Sequence, residues 1–181
     1  MLPGQPSVRQ AISSDIPKLI SMDHGVNTDH VWQLALQQGS GEVEALFREV
    51  RLPRPMRVNY PREPQDLADL WTQRAAVLLA ESGETPLGYV SLIDGPAFRS
   101  GWVQDLVVDL RYRRQGVATQ LLNASRNWCR ERGRERIFVE MQSKNFPAIN
   151  LMRKNGFSYV GYSDHYYPDQ DIVIFFAREL S

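Results

Sequence analysis

Arg113-Arg114-Gln115-Gly116-Val117-Ala118 follows the apolar run Trp102-Val103-Gln104-Asp105-Leu106-Val107-Val108 and leads into residues at helical spacing. The order reads as a strand, a basic glycine-containing turn and the first turn of a helix. Such a junction leaves backbone N–H groups without intrahelical partners and presents the positive end of the helix dipole, which suits a diphosphate. Gly116 lets the backbone approach a phosphate with no Cβ in the way, Ala118 keeps the next turn slim, and Arg113 and Arg114 add charge. The same hexapeptide also describes an ordinary strand-turn-helix with a solvated arginine pair. No G-x-x-x-x-G-K-[ST] or G-x-G-x-x-G run is present, so neither a nucleoside-triphosphate nor a dinucleotide fold has support.

Working outward, Ala118, Leu121, Leu122, Ser125, Trp128 and Cys129 recur at helical spacing, and Gly133 closes that helix. Residues 136–141 form the next strand. Asn145 caps a helix with Pro147 in its first turn, ended by Gly156, and strands at 157–162 and 171–178 flank the segment 163–169. Upstream, strands at 77–80 and 86–94 enclose a turn at 81–84, and Gly95-Pro96 breaks the second before Trp102. A strand at 7–12 is followed by a short helix on Ile16, Leu19 and Ile20, with Ser14-Asp15 as its cap. Residues 31–38 and 42–51, joined by Gly39-Ser40-Gly41, read as a β-hairpin, with helix as the competitor for the second arm. Residues 51–64 carry four prolines and four arginines, a composition that resists helix and central strand, hence a long connection. It is either a solvated surface crossing or a basic rim beside a binding site. A helix at 65–75 follows. The sum is α/β: a mostly antiparallel sheet that gains one parallel β-α-β step through the Trp102 strand, the Gly116 helix and the strand at 136.

The 181 residues suit one domain, and 43% hydrophobic with 23% charged residues is globular usage. Lys+Arg and Asp+Glu balance at 21 each, so no global basic field points to nucleic acid and anion recognition must be local. Cys129 is the only cysteine and residues 1–6 lack a signal-peptide pattern, so a cytoplasmic location is expected. No apolar run reaches membrane-spanning length. His24, His30 and His165 are too dispersed for a metal spacing, and Cys129 lies on an apolar stripe with no histidine motif beside it.

The block Arg113-x-x-Gly116-x-Ala118 resembles the [QR]-x-x-G-x-[GA] signature of the GNAT family of N-acetyltransferases, and Asn145-x-x-Ala148-x-x-Leu151-Met152-x-x-x-Gly156-Phe157 is similar to that family's later motif. The nearest likenesses are to ribosomal-protein N-terminal acetyltransferases and streptothricin acetyltransferases. The resemblance implies a single 1–181 acetyltransferase domain, with 64–178 as the best-matched cofactor-binding part and 24–63 atypical. It implies a central twisted sheet and direct acetyl transfer from acetyl-CoA, with no metal, to a primary amine. Leu106, Val107 and Val108 would pair with the pantetheine arm, and N–H groups near Val107 and Val108 would face the developing oxyanion. Arg113, Arg114, Gln115, Gly116, Val117, Ala118 and Thr119 would hold the diphosphate, and Asn145 would bond the cofactor arm, although helix capping alone explains an asparagine there.

Glu140, five positions before Asn145, matches the base glutamate of the ribosomal-protein enzymes; a strand glutamate is otherwise more often solvent-facing. Met152 replaces their thiolate-protonating tyrosine, among the residues facing the cofactor, and a thioether has no proton to give. Tyr162, Tyr166 and Tyr167 lie further on; Tyr167 is the candidate to close over the amine, with plain packing as the competitor. Asp105 is a reserve base, or else an acid bonded to loop amides. The acceptor is a peptide α-amine or a small-molecule amine, including an antibiotic of the streptothricin type. A noncatalytic acyl-CoA sensor is the alternative class, favoured by Met152 and opposed by Glu140. The hairpin is either a homodimer surface or core packing.

Overall fold

The computed structural model describes residues 6–180, so most of the N-terminal stretch read for targeting signals lies outside the described residues. In chain order the elements are β1 (Ser7–Gln10), α1 (Ile16–Ile20), β2 (Val26–Gly39), β3 (Glu42–Val58), α2 (Gln65–Leu70), β4 (Ala76–Ser82) and β5 (Thr85–Asp94). β6 (Ser100–Val108), α3 (Val117–Glu131), β7 (Arg136–Gln142), α4 (Phe146–Lys154), β8 (Ser158–Ser163) and β9 (Val173–Glu179) complete the chain. A seven-stranded sheet runs β1-β4-β5-β6-β7-β9-β8, antiparallel except for the β6–β7 pair. The single parallel pair needs a crossover, and α3 supplies it.

The sheet is covered on both faces. Ala76, Leu78 and Ala80 of β4 pack with Leu121, Leu122 and Cys129 of α3 and with Ile149 and Met152 of α4. Val77 and Leu79, pointing the other way, pack with Leu19 of α1 and Leu67 of α2. Along β6 the alternation breaks once. Val103 belongs to the α3–α4 core and Val107 to the α1–α2 core, although an even spacing would put both on one face. The register explains it: Leu92 faces Val103 but Ser91 faces Asp105, so Gln104 is the extra residue of a β-bulge.

The hairpin is present and longer at both ends than its sequence pattern predicts. β3 continues to Val58, which overturns the reading of 51–64 as wholly irregular. Its prolines are tolerated for a physical reason. β2 and β3 form a two-stranded sheet of their own, so each has a free edge, and Pro53 and Pro55 lie where the register jumps from His30↔Arg51 to Thr28↔Met56. The predicted helix at 65–75 is shorter, ending at Leu70 and continuing as a 3-10 turn over Trp71–Gln73. Asp15 stands at the head of α1 without capping it: its carboxylate accepts from the Ile12 N–H at 2.9 Å and from Arg9 Nη1 at 2.7 Å. Trp32 against Phe176 and Phe47 against Tyr162, with ring centroids 5.8 and 5.4 Å apart, seat the hairpin on β8 and β9. Leu36, Val43 and Leu46, near its tip, are exposed. No helix among the described residues is long and apolar enough to cross a membrane.

Candidate active site

Pairing between β6 and β7 runs from Ser100↔Arg136 to Val103↔Val139 and stops. Past that point a cavity of about 740 Å³ opens between the strands, lined by Leu106, Val107 and Val108 on one side and Glu140, Met141 and Gln142 on the other. That volume suits a small-molecule ligand, since such pockets span roughly 300–1,000 Å³. The β6 edge that faces it has no partner strand on that side, which is what an extended ligand arm with amide groups needs.

The cavity continues to the start of α3, where Arg113, Arg114, Gly116, Val117, Ala118 and Thr119 line it. Gly116 has φ +85°, and no side chain caps the helix, so its first-turn amides are free for an anion. The two arginines divide the work. Arg113 donates to the carbonyls of Val108 at 2.8 Å, Gly25 at 2.9 Å and Asp23 at 2.7 Å, tying the end of β6 to the turn before β2. Arg114, itself at φ +64°, is the exposed arginine of the pair. Gln115 is the one predicted residue of this turn outside the lining; its side chain donates to the Arg111 carbonyl at 3.1 Å.

Asn145 heads α4 and lines the cavity as well. Its Oδ1 accepts from the Ala148 N–H at 3.2 Å, which fixes the side chain and leaves its Nδ2 to donate to a ligand. Met152 borders the cavity with its side chain fully buried in the α3–α4 core.

At the splay sit two acids with little solvent, Glu140 at 7% and Asp105 at 5% exposure. Trp102 Nε1 donates to Glu140 Oε2 at 2.6 Å, and the Tyr166 hydroxyl lies 3.4 Å from the same oxygen. Arg62 forms an ion pair with Glu140 Oε1. Asp105 lies just behind the main cavity and accepts from the hydroxyls of Tyr60 and Ser91 rather than from loop amides. Tyr167 is buried, lines the cavity and carries the Arg62 guanidinium 5.5 Å from its ring centre; burial pushes its phenol up, so it stays protonated at neutral pH. His24 also lines the cavity, and its Nε2 lies 3.0 Å from the Tyr89 hydroxyl. Among the described residues no three His, Cys, Asp or Glu side chains form a metal-binding group.

Three members of this constellation were not singled out by motif or pattern. Trp102 entered only as a strand residue, Tyr60 carried no signal at all, and Arg62 appeared only as one of four arginines in the proline-rich stretch. The basic-rim alternative for that stretch holds for Arg62; Arg57 instead pairs with Asp23 at 2.5 Å.

The acetyltransferase (GNAT) family matches residues 43–157. The N-alpha-acetyltransferase of Sulfurisphaera tokodaii is 37% identical over 83 residues, 45% of this chain and 50% of that protein, so the match takes in about half of the relative. In fold, the chain is similar to nourseothricin acetyltransferase, with a TM-score of 0.82 at 22% identity covering 97% of this chain and 99% of that one. It is also similar to a Bacillus anthracis structure assigned as a streptothricin acetyltransferase in complex with acetyl coenzyme A, with a TM-score of 0.75 at 18% identity and coverage of 97% and 99%. A bulged strand that leaves its neighbour, an uncapped helix start and a family match over more than half the sequence agree: the chain belongs to the GNAT family of acetyltransferases.

Proposed function

We propose that the chain transfers an acetyl group from acetyl-CoA to a compact cationic amine. The observation that carries this is the meeting, in one cavity, of the free α3 amides, the unpaired β6 edge and the buried carboxylate of Glu140. Acetyl-CoA supplies an activated thioester when bound. The amides from Gly116 to Thr119 with Arg114 would hold its diphosphate, residues 106–108 its amide-bearing arm, and Asn145 Nδ2 a polar atom of that arm.

Glu140 would receive the acceptor. Its oxygens keep lone pairs beyond those engaged by Trp102 and Arg62, so an ammonium can dock there and pass over its proton before its nitrogen attacks. Tyr167, kept protonated by burial, can donate a hydrogen bond to the departing sulfur in place of the hydroxyl absent at Met152. Transfer without an acyl-enzyme is supported by Cys129, whose thiol is fully buried and pushed up to about 11. A compact acceptor is favoured because the largely buried side chains of Arg62 and Tyr167 line the cavity beside Glu140 and leave little room around its carboxylate. A peptide α-amine is the second reading, favoured by the name of the Sulfurisphaera relative.

Thiol release with diamines, a streptothricin-type antibiotic and peptides bearing free α-amines tests the proposal. Turnover with a small amine, abolished or reduced at least a hundredfold in Glu140→Gln, is expected. Faster turnover with peptides selects the second reading. Acetyl-CoA binding with no turnover across the panel overturns the enzyme reading in favour of a sensor.

A further inference from the structure

Where the ladder between β6 and β7 stops, a side chain from outside either strand takes over. Arg62 stands in the connection between β3 and α2, and its side chain is 17% exposed. On the β6 side, Nη1 donates to the Gln104 carbonyl at 3.2 Å and lies 3.7 Å from Asp105 Oδ1. On the β7 side, Nη2 pairs with Glu140 Oε1. The acceptor on β6 is the bulge residue itself, which the β5 register skips. One planar guanidinium thus spans the two strands one residue beyond their last backbone pair, Val103↔Val139.

Charge gives the tie its force. Glu140 is met by Arg62 from the connection, by Trp102 from β6 and by Tyr166 from the β8–β9 segment, with Phe175 of β9 as its register partner; Asp105 and Tyr167 meet the same guanidinium. Arg62 is therefore the cation shared by two buried carboxylates. Without it two nearly dry acids would stand across an unpaired cleft, an arrangement that buried charges avoid by moving apart or by taking up protons.

We propose that Arg62 is the positioning residue of the acceptor site: its guanidinium clamps the splayed ends of β6 and β7, anchored by Asp105 and the Gln104 carbonyl on one side, and holds the Glu140 carboxylate in place to receive the amine. This rests on the acetyltransferase reading for the identity of the incoming group, whereas the clamp itself is tested without turnover.

Hydrogen exchange of the ligand-free protein provides that test. In Arg62→Ala the amides of residues 104–108 and 140–142 should exchange roughly ten- to a hundredfold faster than in the native chain, with β4 and β5 unchanged. Millimolar guanidinium chloride should restore protection by refilling the vacated space. Arg62→Lys, which keeps the charge without the fork, should fall between the two and carries the comparison if the alanine variant does not fold. With an acceptor from the panel above, kcat should fall and recover with guanidinium while the KM for acetyl-CoA stays put. Native exchange rates at both strands in the variants overturn the proposal, as does a loss of kcat that guanidinium leaves unrepaired. A native chain that exchanges as expected but transfers no acetyl group overturns the acetyltransferase reading and leaves the clamp standing.

Discussion

Trp102 and Glu140 are joined by a 2.6 Å hydrogen bond from the indole N–H to Oε2, while the indole stacks on Phe138 with centroids 5.0 Å apart and planes 13° from parallel. The stacking follows from the parallel register, which places Trp102 beside Phe138. Glu140, two residues further on, then meets the indole edge. Trp102→Phe keeps an aromatic ring for Phe138 and removes the donor. A hydrogen bond to a charged group is worth about 1.5–3 kcal/mol of stability, so Tm should fall by about 3–12 °C, and kcat should drop roughly tenfold or more with little change in the KM for acetyl-CoA. Unchanged kcat would show that the orientation of Glu140 does not matter to the reaction.

Gly116 separates conformation from space. A Cβ placed there would meet nothing within 4 Å, yet the backbone has φ +85°, where a β-branched residue is strongly disfavoured. Gly116→Val should therefore disturb the turn and weaken acetyl-CoA binding at least tenfold, whereas Gly116→Asn, which tolerates the left-handed region, should lose only a fraction of the affinity. Calorimetry on both variants decides the matter: equal affinities with a lowered Tm for the valine variant would remove the turn from the cofactor site.

The part of the cavity around Gly116 was legible because its determinants are local. Gly116, Gly133 and Gly156 all have positive φ, and each stands at a helix boundary that the spacing of apolar residues had marked. The splay was legible only in part: Glu140, Asp105 and Tyr167 stood out, whereas Trp102, Tyr60 and Arg62, which hold them, did not, because those contacts depend on non-local facts. The bulge at Gln104 turns Val107 to the opposite face from Val103, and no alternation rule reveals a skipped residue. Pro53 and Pro55 argued against a strand that exists because its sheet has only two members. Arg62 looks like its neighbours Arg54 and Arg57 until the chain folds and brings it to Glu140, 78 positions away in the sequence.

Gly101 and Cys129 form a close-packed pair between β6 and α3. A Cβ on Gly101 would lie 2.4 Å from Cys129 Sγ, and that thiol is fully enclosed. Gly101→Ala should cost about 1–3 kcal/mol as overpacking, lowering Tm by about 2–4 °C per kcal/mol for a chain of this size. Cys129→Ala opens the space that the new methyl needs. Melting curves of the single and double variants should show the double variant losing less than the sum of the two single losses. Strict additivity would mean that the strand shifts away from the helix instead.

His24 makes stability depend on pH. It is 8% exposed, its Nδ1 lies 2.7 Å from the Met22 carbonyl and its Nε2 lies 3.0 Å from the Tyr89 hydroxyl. These partners assign the proton to Nδ1 and leave Nε2 to accept from the phenol. Burial holds the imidazole neutral, its pKa below the ordinary histidine range. The unfolded chain takes up a proton near the ordinary value of about 6.5, before the folded one does. The unfolded state therefore binds more protons in this window, and the stability that His24 confers is complete above about pH 6.5 and lost as pH falls through the lower folded value. His24→Gln cannot titrate. The native chain should melt above this variant at pH 7.5, with the difference narrowing by on the order of a few degrees by pH 5. A difference that stays constant or widens on acidification would mean that the folded protein takes up the proton at His24 as readily as the unfolded chain does.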